Sequence, residues 1–241
     1  MYSILLVIIY LAFISLGLPD SLLGAAWPSM QPGLGVPVSY AGGISVIIAG
    51  GTIISSLFSN YLIHKLGTGK VTAISVAMTA AALFGFSVSG SYWQLCLWGI
   101  PYGLGAGSVD AALNNFVALH YKAKHMSWLH CFWGIGATAG PYIMGFVLTR
   151  GLSWNAGYRT ISVLQVILTA VLVFTLPLWK EKGGSAKEEE KQQPLSPLQV
   201  TKLPGAKGVL TGFFCYCSVE ATAGLWASSY MVNRGISAET A

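Results

Sequence analysis

The stretch GLGAGSVDAALNNFV, Gly103 to Val117, decides the fold. It lies inside an apolar run from Trp93 to Leu119 whose only charged side chain is Asp110. That run is long enough as a helix to cross the roughly 30 Å of bilayer hydrocarbon. An acid at the centre of such a helix costs about 2.5–3.5 kcal/mol to insert. The chain therefore needs a reason to carry one among glycines and alanines, followed by Asn114 and Asn115.

The rest of the sequence is of the same kind. Only 9% of the 241 residues are charged, against about 25% in soluble domains, and the mean hydropathy is +0.64. A water-soluble globule, which needs a charged surface, is excluded, and an all-α membrane protein is expected. The net charge of +5 comes with no basic stripe or RNA-binding aromatic motif, so no nucleic-acid partner is expected. The four cysteines, Cys96, Cys131, Cys215 and Cys217, fall in apolar runs without metal-ligand spacing and read as small hydrophobes. Neither a metal nor a cofactor is expected.

Apolar runs recur at about 2–30, 39–63, 71–89, 92–119, 127–149, 156–178 and 206–232, which predicts seven spans. The first is too long, and lacks the basic flank, for a cleaved signal peptide. Basic residues give the orientation. With the N-terminus in the cytoplasm, all ten lysines fall on that side: Lys65 and Lys70, then Lys122 and Lys124, then six between Lys180 and Lys207. Only Arg150, Arg159 and Arg234 lie opposite. Residues 180–205 are charged and aperiodic and read as a flexible cytoplasmic linker. The expected domains are a six-helix transmembrane bundle over 1–179, that linker, and a seventh helix within 206–241 that starts a second bundle. A lone seventh helix lacks evident partners, so the chain reads as cut short and is not expected to transport by itself.

Five of the eight acids lie in the linker and tail; Asp20, Asp110 and Glu220 occupy the first, fourth and seventh spans. Recurrence at every third helix suggests two inverted three-helix repeats, an architecture whose sites lie near the membrane midplane. Gly24, Trp27 and Gln31 share the helical face of Asp20, and Gly103, Gly107 and Asn114 that of Asp110. Acids, amides and an aromatic ring on such faces suit a sugar or polyol. Trp27 also fits an interfacial aromatic belt, and Gln31 the outer loop. Pro19 and Pro28 are expected to loosen the first helix beside its acid. A single intramembrane acid can serve as a helix–helix anchor; three at matched positions point to a hydrated pathway. Gly43, Gly51, Ser55 and Ser59 read as a packing face. His130 and Trp133 open the fifth span, where a structural histidine is favoured over a proton relay.

Six helices, a basic linker and a further helix resemble the N-terminal half of a major facilitator superfamily transporter with the start of its second half. LGLPDSLLGAAWP in the first span and GSVDAALNNF in the fourth are similar to the fucose-permease-like branch of sugar:proton symporters. The resemblance implies proton-coupling acids at Asp20 and Asp110, faced by Glu220, and substrate contacts at Asp20, Trp27, Gln31, Asn114 and Asn115. Asp110 stands where that branch has a glutamate. NYLIHKLGTGK, Asn60 to Lys70, resembles the superfamily's gating loop at Leu62, Lys65, Gly67 and Lys70, with Asn60 and His64 replacing a glycine and an aspartate. GIGATAGPYIMG, Gly134 to Gly145, is similar to an antiporter motif except at Met144. The implied function is proton-coupled symport of a small polar solute at the plasma membrane, by a protein monomeric at full length. A proton-coupled drug or metabolite exporter is the alternative. An intramembrane protease is more distant: its acid directly follows a GxG, whereas Ser108 and Val109 intervene before Asp110, and Ser89-Gly90 lacks the leading glycine of a GxSG. No enzyme activity is expected.

Overall fold

A computed structural model describes residues 2–180 and 197–241. Most of the 180–205 linker, 181–196, lies outside the described residues. The helices are α1 (Tyr2–Gly17), α2 (Leu22–Leu34), α3 (Tyr40–Leu66), α4 (Thr68–Val88), α5 (Tyr92–His120), α6 (Ala123–Thr149), α7 (Trp154–Phe174), α8 (Leu176–Lys180), α9 (Pro197–Val200) and α10 (Ala206–Asn233). Among the described residues six spans are long and apolar enough to cross a membrane, with α1 and α2 counting as one from Ile4 to Leu34. The helix α5 is longer than most of them but falls outside that set, because Asp110, its amides and its glycines dilute its hydropathy.

The predicted first helix is not continuous. It breaks over 18–21, since Pro19 has no amide to donate and its ring crowds the preceding turn. Tight local bonds replace the ladder there: Asp20 N–H to Gly17 O at 3.0 Å and Leu22 N–H to Pro19 O at 3.2 Å. Pro28 and Pro32 lie inside an uninterrupted α2. Helix α5 begins where Gln94 Oε1 accepts from Gly90 N–H at 2.8 Å and Ser91 N–H at 3.2 Å, satisfying orphan amides of its first turn.

The main pairings are α3 with α5, α4 with α5, α4 with α7 and α1 with α6. With α1–α2 as the first span, first-with-fifth and fourth-with-second are mates under exchange of two three-helix repeats, and third-with-sixth maps onto itself. The fold is the expected pair of inverted repeats. Both mated interfaces use glycine. A Cβ on Gly103 would collide with the Ile48 carbonyl and one on Gly107 with that of Thr52; on Gly136 and Gly140 it would meet the carbonyls of Ile14 and Leu18. Backbones in such contact gain dispersion and weak polar attraction that side chains would prevent. The predicted packing face of α3 forms one side: Gly51 meets Gly103, Ser55 and Ser59 are buried, and Ser56 Oγ donates to Gly107 O at 3.2 Å.

Two clusters of buried side chains lie one above the other. One gathers Leu5, Ile9, Phe13, Leu113, Phe116 and Trp179, the other Leu22, Trp27, Met30, Phe86, Met144 and Tyr158. At the junction, Ser15 Oγ donates to Gln165 Oε1, and Gln165 Nε2 donates to Ser15 O at 2.6 Å, tying α1 to α7. Gln165→Leu should lower stability by about 0.6–1.7 kcal/mol, read as an earlier unfolding midpoint in micelles; an unchanged midpoint would show that the pair is dispensable.

The seventh span, α10, does have a partner. Gly24 of α2 and Gly224 of α10 touch so closely that a Cβ on Gly24 would overlap the Gly224 carbonyl. Small residues on both helices allow this docking, although most of α10 stays exposed.

Candidate functional site

Carboxylates of two other elements lie within electrostatic range of Asp20. Asp20 sits in the α1–α2 break, one residue before Ser21, the N-cap of α2. The N-terminal end of a helix carries partial positive charge and favours negative charge beside it. Asp20 is exposed despite lying among buried neighbours. Asp110 of α5 and Glu220 of α10 both lie within electrostatic range of it, and both are half-buried. Asn114 Nδ2 donates to Asp110 Oδ1 at 2.9 Å and to Asp110 O at 3.1 Å. The asparagine thus orients the carboxylate and keeps its own Oδ1 as an acceptor. His130 of α6 lies within electrostatic range of Asp110, and its ring meets Phe13 edge-on at 6.1 Å. Tyr102 brings a phenol within range of Asp20 from α5.

Not every expected site residue joins them. Trp27 is 0% exposed, and its indole N–H donates to Val38 O at 2.8 Å. It is neither belt nor cavity wall but a core side chain whose polar edge ties α2 to the following loop, so a stacking role is corrected. Gln31 Nε2 donates to Val36 O at 2.6 Å, closing the turn after α2. That bond uses one N–H of its amide and leaves Oε1 as an acceptor on a half-buried side chain. Asn115 is exposed but lies about 140° round α5 from Asp110, off the acid's face. Lys65, Gly67 and Lys70 cluster at the tight α3–α4 connection, where Gly67 takes φ +83°. Both lysines are exposed, and the Lys65 ammonium sits 5.9 Å from the centre of the Tyr61 ring.

One residue was passed over by reasoning from sequence. Trp133 Nε1 donates to Asp20 Oδ2 at 3.0 Å. The signal was legible, since Trp133, Gly136 and Gly140 follow i, i+3, i+7 spacing and share a face. Nothing in the sequence says that this face meets Asp20. Among the described residues no cluster of His, Cys, Asp and Glu could hold a metal.

Comparison with known proteins bears on this arrangement. A model of the Major Facilitator Superfamily matches residues 9–241. The synaptic vesicle glycoprotein 2B of Rattus norvegicus is 26% identical over 178 residues, which are 71% of this chain and 26% of that protein. An uncharacterised MFS-type transporter, YcaD, of Salmonella arizonae is 23% identical over 177 residues, 70% of this chain and 44% of that one. The crystal structure of a D-xylose-proton symporter superposes with a TM-score of 0.71 at 14% identity, covering 98% of this chain and 63% of the symporter. The chain therefore spans about a quarter of the synaptic vesicle glycoprotein and less than two thirds of the symporter, and at that identity the superposition establishes the fold.

Proposed function

This chain belongs to the Major Facilitator Superfamily, and from that premise we propose that it forms the acid-bearing part of a proton-coupled transporter for a sugar or similar small polar solute. The observation that carries the reading is the convergence of Asp20, Asp110 and Glu220 on a place where Asp20 is exposed. Lipid would not tolerate that arrangement, whereas a hydrated cavity does.

The chemistry follows from what each side chain can do. A carboxyl group in a poorly hydrated cavity binds a proton more readily than one in water, and releases it when rocking of the halves restores hydration. Asp110, held by Asn114, is the proton carrier. Asp20 accepts hydrogen bonds from solute hydroxyls, and the free Oδ1 of Asn114 accepts another. Glu220 faces them from α10, so relative motion of α10 and α5 changes the electrostatic surroundings of all three. The orientation we propose puts the N-terminus in the cytoplasm of a plasma-membrane protein, with Lys65, Lys70, Lys122 and Lys124 on the cytoplasmic connections. The glycine stretch that favours an exporter has a structural account here, because Gly136 and Gly140 are taken up by the packing of α6 on α1.

The test is proton movement in proteoliposomes that carry an internal pH dye and hold the transporter of which this chain forms part. Neutral sugars should draw protons in with them, and lipophilic cations should not. Proton efflux driven by lipophilic cations, with silence toward a panel of sugars and polyols, would overturn symport in favour of export.

A further inference from the structure

We propose that Trp133 is the positioning residue of Asp20: its indole N–H holds the ionised carboxylate against α6 and loosens when that group takes up a proton. The consequence for transport rests on the preceding reading, whereas the experiment below does not depend on it.

The indole Nε1 is a donor with no acceptor capacity. Its 3.0 Å bond to Asp20 Oδ2 is charge-assisted while the carboxylate is ionised, and roughly half as strong once the group is neutral. The surroundings make that difference matter. Where α6 runs along the end of α1, Gly17 meets the Trp133 carbonyl and the Ala137 amide, Gly136 meets Ile14 O, and Gly140 meets Leu18 O. These contacts beside the break are backbone on backbone, whereas farther along the same pair side chains interlock: the Tyr10 hydroxyl bonds His125 Nδ1 at 2.8 Å and the Tyr10 ring stacks on Phe132 at 4.6 Å. The break itself is held by short local bonds, Leu18 N–H to Ile14 O at 3.0 Å and Asp20 N–H to Gly17 O at 3.0 Å. Beside the break the smooth glycine surface permits small displacements, and there the Trp133–Asp20 bond is a side-chain link that resists them. Protonation of Asp20 thus relaxes the tie between the break and α6.

Other titratable groups face Asp20. Asp110 and Tyr102 approach from α5 and Glu220 from α10; His130, one turn before Trp133 on α6, lies near Asp110. Their charges move the pH at which Asp20 titrates. They do not replace the bond.

The experiment is fluorine NMR of the whole chain in lipid nanodiscs with its eight tryptophans fluorinated, the Trp133 resonance being assigned by Trp133→Phe. That resonance should move with pH through one titration. In Asp20→Asn, whose amide oxygen still accepts the bond, it should be stationary with the other resonances in place. Asp110→Asn and Glu220→Gln should shift the midpoint and keep the movement. A Trp133 resonance that ignores pH, or moves as far in Asp20→Asn as in the wild type, overturns the proposal. Failure of sugar-driven proton uptake would sink the transporter reading and leave the fluorine titration standing.

Discussion

Asp110→Asn should abolish proton-driven accumulation and leave solute exchange intact if the proposed coupling role is right. The substitution keeps the shape of the side chain and an acceptor oxygen toward Asn114 Nδ2, which now bonds Asp110 Oδ1 at 2.9 Å. On the proposed mechanism it removes the atom that takes and yields a proton. A gradient of one pH unit is worth about 1.4 kcal/mol, so one proton per solute supports about tenfold accumulation. The variant should equilibrate at a ratio of about one. Exchange of internal for external solute needs no net proton transfer and should continue, now without the pH dependence that titration of Asp110 imposes. Paired uptake and counterflow assays in proteoliposomes measure both quantities. Tenfold accumulation by the variant would remove Asp110 from the coupling role.

Gly140→Ala should be, with Gly136→Ala, among the most damaging single methyl additions in α6. Its Cβ would fall on the Leu18 carbonyl at the edge of the break, where backbone and not a flexible side chain must yield. Overpacking of this kind costs about 1–3 kcal/mol and would push α6 away from α1, carrying the Trp133 indole off Asp20. The control lies in the same helix. At Gly134 an added Cβ meets nothing within 4 Å, so Gly134→Ala should be neutral or should stabilise by up to about 1 kcal/mol through helix propensity. Unfolding midpoints in detergent distinguish the two. Equal effects would mean that the α1–α6 contact is looser than described.

The two substitutions also mark how far a linear reading reaches. Composition and the spacing of apolar runs predict the spans, and helices begin and end close to the expected edges. The three acids stand out because an intramembrane carboxylate is expensive wherever it lies. Trp27 and Gln31 make bonds that a shared face with Asp20 does not suggest, because such sharing is a property of an unbroken helix. The break at Pro19 uncouples α2 from α1, and the two side chains satisfy their polar atoms on Val38 and Val36 instead. The partner of α10 was missed for a related reason. Gly24 and Gly224 look like any other glycines until two backbones are brought together.

By itself the sequence determined the membrane class, the repeated three-helix order and the cost of burying Asp20, Asp110 and Glu220, since these follow from hydropathy and period along one dimension. Tertiary structure alone decided that Asp110 and Glu220 come within electrostatic range of Asp20, that Trp133 meets Asp20 and that Trp27 turns inward. Which helix faces meet depends on contacts between residues more than a hundred positions apart, such as Asp20 and Trp133, and on backbone approaches that only the absence of a side chain permits.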